Sequence, residues 1–298
     1  MEKTVKRKLK SVDFMMGNIN VGQPLPGADL EQISPFIMLH HVPPTRYEPG
    51  EGSPGVGPHP HRGFEPVSFI FQGEGEHTDS LGNHSIVGAG GVQWMTAGRG
   101  ILHAEGLSPS FKEQGGTSEM IQLWINLPAR LKMTEPDYQA FARKDIPFVE
   151  ENNARINVIA GEFNERHGPV RSLTDILALT LEIEADGEAN LRIPRDKNIL
   201  LYQLQGESEI NDTAVGDREL VVFENDGSDI KIRARRKSVL LFLAGDPIDE
   251  PMVSHGPFVM NTQTEILEAM RDYQMGKMGF LPNLARPESG KEPASRTR

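Results

Sequence analysis

The sequence predicts an almost entirely β protein built as two barrels in tandem, and three observations carry that expectation. Short apolar runs such as Val67-Ser-Phe-Ile-Phe71, Val92-Gln-Trp-Met95 and the stretch from Met120 to Leu127 are bounded by turns rich in Gly, Pro and Asn. Leu201-Tyr-Gln-Leu-Gln-Gly-Glu-Ser-Glu209 echoes Ser68-Phe-Ile-Phe-Gln-Gly-Glu-Gly-Glu76, a duplication on the scale of a domain. The clearest helical pattern lies near the C-terminus, from Thr262 to Met275. There Thr262 and Glu265 make a capping box, and Ile266, Leu267, Met270 and Tyr273 an apolar stripe that should pack on a barrel.

Composition narrows the function. The 298 residues are enough for one large domain or two ordinary ones. A net charge of −11 argues against direct nucleic-acid binding, which needs clustered Lys and Arg. With no cysteine, disulfides, thiolate zinc sites and cysteine nucleophiles are excluded, and any metal must take nitrogen and oxygen ligands. Lys3, Lys6, Arg7, Lys8 and Lys10 are followed by no apolar segment of signal-peptide type, and no apolar run approaches a membrane span. A cytoplasmic protein that does not enter a membrane is the expectation.

In chain order, residues 1–10 read as a solvated, basic edge strand. Ser34 to Val42 is a short buried strand ending in His40 and His41; adjacent residues face opposite ways, so at most one can approach the site and neither is expected as a ligand. Pro43 to Pro58, rich in Pro and Gly, reads as an irregular rim over a site mouth. After strand 67–71 come a turn at Gln72–Gly75, a strand starting at Glu76 and hairpin-turn chemistry from Ser80 to His84. His84 reads as a turn residue, and His77 is left open between a structural residue and a site residue, the structural reading being preferred. Thr96-Ala-Gly-Arg-Gly100 matches no phosphate-binding spacing and leads into no helix, so it reads as a sharp turn that places His103.

The chemistry is concentrated in Pro58-His-Pro-His-Arg-Gly-Phe-Glu65 and His103-Ala-Glu105. On a strand, residues two apart share a face, so His59, His61 and Glu65 can converge, as can His103 and Glu105. Histidine and carboxylate together suit iron, manganese, nickel, cobalt, copper or zinc. Strand parity alone nominates Glu65 as readily as Glu105.

These runs, with Asp79-Ser-Leu-Gly-Asn-His84, Gln93 to Glu105, Gln122 to Pro128 and Gly256-Pro-Phe-Val-Met-Asn-Thr262, closely resemble the pirin family of bicupins over nearly the whole chain. The resemblance implies two stacked cupin-type β-barrels with few short helices, an N-terminal barrel over residues 1–140 and a C-terminal one over 141–298. It implies one divalent ion, iron(II) first, held in the N-terminal barrel by His59, His61, His103 and Glu105. Glu65 then orients a ligating imidazole. The second half has no H-x-H, only His167 and His255 standing alone, so its barrel is expected to have lost the metal.

The implied activity is that of a quercetin 2,3-dioxygenase. A flavonol and O2 meet at the metal, Glu105 takes the flavonol's hydroxyl proton, and the ring opens with release of carbon monoxide. Phe64, Trp94 and Met95 are candidate pocket residues. The alternative implied by the family is a redox-sensitive metal-binding module that regulates a protein partner, a transcription factor or a metabolic enzyme. Arg233, Arg235, Arg236 and Lys237 read as a solvated strand end, and the tail from Arg286 as mobile.

Overall fold

In the computed structural model, residues 1–27, 30–50 and 55–281 are described. The apolar runs become strands, and the first half contains β1 (Val5–Lys10), β2 (Val12–Met16), β3 (Ile19–Leu25), β4 (Phe36–Tyr47), β5 (Val56–His61), β6 (Phe64–Gln72), β7 (Glu74–Asp79), β8 (His84–Gly88), β9 (Val92–Thr96), β10 (Ile101–Gly106), β11 (Gly116–Asn126) and β12 (Asp137–Phe141). One short helix, α1 (Pro109–Gln114), is capped by Ser108 and joins β10 to β11. The first barrel sets a seven-stranded sheet, in the order β12-β9-β6-β11-β4-β3-β2, against the four-stranded sheet β5-β10-β7-β8. The second barrel repeats the plan with Glu219–Phe223, Asn198–Gln205, Ser238–Gly245, Ile176–Ile183, Ala154–Ala160 and Phe148–Glu151 in its large sheet.

Period-two alternation decides what each face does. From β4, β6, β9 and β11, the side chains of Leu39, Val67, Phe69, Trp94, Ile121, Leu123 and Ile125 pack against Ile159, Leu200, Tyr202, Leu241 and Leu243 of the second barrel in one apolar core. The buried network in this core is closed: Glu119 accepts from His41 Nε2 at 3.1 Å through one oxygen, and from Gln72 and Gln205 at 2.8 and 2.7 Å through the other. The opposite faces differ between the barrels. Inside the second, Leu179, Leu181, Leu201, Leu240 and Phe242 fill the space. Inside the first, His40, Gln122, Ser68 and Gln93 lie side by side on four neighbouring strands and form a polar row across the wall.

The chain ends cross over. β1 is the edge strand of the second barrel's large sheet, paired with Glu219–Phe223. At the other end, the hairpin Val253–His255/Phe258–Met260 and helix α2 (Gln263–Gln274) return to the first barrel. Phe258, Met260, Ile266, Ala269 and Met278 pack with Leu102 of β10. Gly63 permits this docking: its φ is +89° and a Cβ there would lie 2.0 Å from the Val259 carbonyl oxygen.

Three expectations need correction. Pro43 to Pro58 is not wholly irregular, because β4 runs on to Tyr47 and β5 begins at Val56. The α2 capping box is present, but the buried residues are Ile266 and Ala269, while Leu267 is 59% exposed. At 100° per residue, 266, 269 and 270 share the face that meets the hairpin and 267 points away from it. Trp94 faces the other barrel rather than a pocket, since inward-facing Gln93 and Met95 flank it. As expected, Arg233, Arg235, Arg236 and Lys237 are solvated, each paired with a glutamate. Among the described residues no helix is long and apolar enough to cross a membrane. The tail from Arg286 lies outside the described residues.

Candidate metal centre

Antiparallel pairing of β5 with β10 sets His103 opposite His59 and Ile101 opposite His61. The i, i+2 spacing of His59 and His61 keeps both rings on one face, and the register brings His103 to them. One ring nitrogen from each of His59, His61 and His103 lies within 4.8 Å of the others. His61 and His103 are buried and His59 is half-buried, so the cluster sits at the barrel wall with one ring reaching outward.

The Nε2 atoms of His59 and His61 point at each other. His59 Nδ1–H donates to the Gly57 carbonyl at 2.8 Å and His61 Nδ1–H to the Pro257 carbonyl at 3.4 Å. That leaves their Nε2 atoms 3.1 Å apart. Two imidazole nitrogens bound to one cation at about 2.0–2.1 Å stand about 3.0–3.4 Å apart, so the spacing suits an ion between them. His103 Nε2 is buried with no hydrogen-bond partner, which is costly for a polar atom without an ion to bind. Burial, reinforced by His59, pushes His61 down to about 3, and burial likewise lowers His103 well below its ordinary value. Both rings are therefore neutral and able to ligate. The donor set fits a divalent metal ion.

The carboxylates behave differently from the histidines. Glu105 lies outside the three-histidine group; its Oε1 accepts a hydrogen bond from Gln122 Nε2 at 2.5 Å. Pairing with β5 slips between His103 and Glu105, which sets Glu105 opposite Val56. It still lines, with His103, Met95, Ser68 and Gln93, a small cavity behind the ring cluster. A larger cavity inside the barrel shares Glu105, Ser68 and Gln93 and is walled by apolar groups including Val21, Val42, Ile70 and Met120.

Glu65 does not orient an imidazole. It is fully buried toward the second barrel, accepting from Thr96 Oγ1 at 2.7 Å and Ser172 Oγ at 2.9 Å, and burial raises its carboxyl. The parity that grouped it with His59 and His61 fails because β5 ends at His61 and the chain turns at Gly63 before β6. Phe64 packs at a tilt against Trp124 and edge-on to the His61 ring, with centroids 5.0 Å apart, so it buttresses that imidazole.

Residues 18–125 match the family model described as Pirin, and residues 178–279 the one described as Pirin C-terminal cupin domain. The chain belongs to the pirin family. Among its relatives, a Pseudomonas aeruginosa protein provisionally named quercetin 2,3-dioxygenase is 37% identical over 281 residues, covering 90% of this chain and 98% of the relative. Pirin-1 of Arabidopsis thaliana is 39% identical over 258 residues, with 85% and 86% covered. A crystal structure of quercetin 2,3-dioxygenase from Acinetobacter baumannii superposes with a TM-score of 0.88 at 36% identity, covering 94% of this chain and 99% of that one. The two-barrel pirin fold is thus shared over almost the full length.

Sequence reasoning missed several residues that shape this pirin site. Trp124 lies 5.2 Å from the His61 ring, Gln122 holds Glu105, and the Pro257 carbonyl arrives from the far end of the chain. For Gln122 a signal existed: a polar residue at an inward position of an otherwise apolar strand. Nothing local in sequence could place Pro257.

Proposed function

We propose that this pirin is a mononuclear metal-dependent dioxygenase that opens flavonols such as quercetin with O2, releasing carbon monoxide. The observation that carries the proposal is the trio of converging imidazoles beside a cavity whose apolar wall carries a polar row. Likeness over almost full length to proteins named quercetin 2,3-dioxygenase supports the substrate class. His59, His61 and His103 hold the ion, with Glu105 as the fourth ligand, and iron(II) is the proposed metal. When bound, such an ion brings an organic oxygen and O2 to one centre.

The chain's own residues perform the remaining work. Glu105 takes the proton of the flavonol hydroxyl, a role open to a carboxylate that already faces the cavity and is steadied by Gln122. Val21, Val42, Ile70 and Met120 cover the flat apolar faces of the substrate and exclude water. His40, held by Gln23 at 2.8 Å and kept neutral by burial that lowers it to about 4, offers a polar contact to ring hydroxyls without adding charge. The filled interior of the second barrel leaves it the part of a scaffold.

Oxygen uptake and carbon monoxide release with quercetin, at measured iron loading, test the proposal. Turnover that depends on His103 supports it. A fully loaded chain that consumes no oxygen with quercetin or related enols would reject it, and the regulatory-module reading would then be pursued by partner capture in oxidised and reduced states.

A further inference from the structure

His59 and His61 are steadied by main-chain carbonyls, but His103 is not. Its Nδ1 instead faces Nδ1 of His77 at 3.5 Å. His77 and Asp79 alternate on the buried face of β7, where Asp79 stands opposite His103 in the β7/β10 register. His77 Nε2 lies 3.1 Å from Asp79 Oδ2. That carboxylate is immobilised in turn: Oδ1 accepts from the backbone N–H groups of Leu81 and Asn83, and Oδ2 also accepts from Asn83 Nδ2. Burial would raise Asp79, but the bonds from His77 and Asn83 outweigh it and hold the carboxyl below its ordinary range. The His77 ring is clamped flat against Tyr138, with centroids 4.0 Å apart and planes within 4°. Tyr138 is itself fixed by a 2.5 Å bond to Ser85 Oγ.

We infer that His77 and Asp79 are positioning residues for the metal ligand His103. A carboxylate oxygen at 3.1 Å accepts from His77 Nε2–H, and in that single-hydrogen tautomer Nδ1 offers its lone pair to His103 Nδ1. That lone pair selects the His103 tautomer with hydrogen on Nδ1, which turns the unprotonated, unpartnered Nε2 toward the ion. The two-residue spacing that pairs His59 with His61 is thus used again on β7 to hold a ligand. Of the three imidazoles, His103 is the one whose outer partner is a side chain among the described residues. The inference rests on reading His59, His61 and His103 as the metal site.

The test compares metal affinity by chelator competition in wild type, H77F and H77Q, with the unfolding temperature of each apo form as a folding check. Phenylalanine keeps the stack on Tyr138 but accepts nothing; glutamine can still accept from His103 Nδ1–H. Affinity should fall about 10- to 100-fold in H77F and largely return in H77Q. Within the H77F background, D79N should cause no further loss, because Asp79 acts through His77. H77F within twofold of wild type, or H77Q as weak as H77F, would overturn the inference. A readout free of variants is the long-range 1H–15N spectrum of the zinc-loaded chain. It should show His103 protonated on Nδ1, and a proton on Nε2 would overturn the assignment. A wild-type chain that takes up no metal would remove the metal reading and this pairing with it.

Discussion

Replacing Gly63 with alanine tests whether the returning C-terminal hairpin is part of the metal centre. Gly63 has φ +89°, and a Cβ would stand 2.0 Å from the Val259 carbonyl oxygen and 2.8 Å from Met260 Sδ. Adopting that backbone region costs a non-glycine residue about 1–2 kcal/mol. The obstruction is a main-chain oxygen, so the hairpin itself has to move. Phe258, Val259 and Met260 are 4%, 1% and 2% exposed, and fully exposing one such side chain costs roughly 1.5–3 kcal/mol. Partial displacement added to the backbone strain predicts a loss of about 3–5 kcal/mol in urea unfolding of the apo chain. The same movement withdraws the Pro257 carbonyl from His61 and the Val259 carbonyl from Lys132 Nζ. Metal affinity should then fall by about tenfold or more, as for loss of other outer hydrogen bonds to ligating imidazoles. An unchanged unfolding midpoint together with unchanged metal affinity would refute the reasoning.

H103A should lose bound metal and quercetin-dependent oxygen uptake while keeping the fold, as metal analysis and circular dichroism will show. Trp124 lies 5.2 Å from the His61 ring, whereas the chain's other tryptophan, Trp94, sits between the barrels. Nickel(II) or copper(II) should therefore quench emission in wild type, and W124F should abolish most of that response. Burial raises the Tyr202 phenol to about 12, above an ordinary value of 10. The unfolded chain releases this proton first, so the stabilisation is whole below pH 10 and is lost as pH rises toward 12. Between pH 10 and 11, wild-type unfolding free energy should fall by about 1 kcal/mol more than that of Y202F, and parallel slopes would contradict this.

The barrels and the three clustered histidines were legible because they rest on local rules. Apolar runs bounded by turn residues marked β6, β9 and β11, and two-residue spacing put His59 and His61 together. Only the pirin resemblance, and not spacing, preferred Glu105 to Glu65. The corner at Gly63 explains why spacing alone could not: it rotates Glu65 away from the histidines and toward Ser172. The crossed chain ends were also illegible. Nothing near Pro257 announces that its carbonyl will meet His61, and nothing near Val5 announces a place in the distant sheet. Such contacts are decided by how whole barrels dock. Trp94 was misplaced for a smaller reason, since an apolar residue beside a site has two faces to choose from, and only its flanking Gln93 and Met95 settle which one it takes.

Elemental analysis of chain purified without added metal, run beside the H59A/H61A/H103A variant, tests the central claim most directly. One tightly held transition-metal ion per wild-type chain and none in the folded variant is the predicted result. Equal metal content in the two, or a wild-type chain that stays empty when offered iron(II), would contradict it.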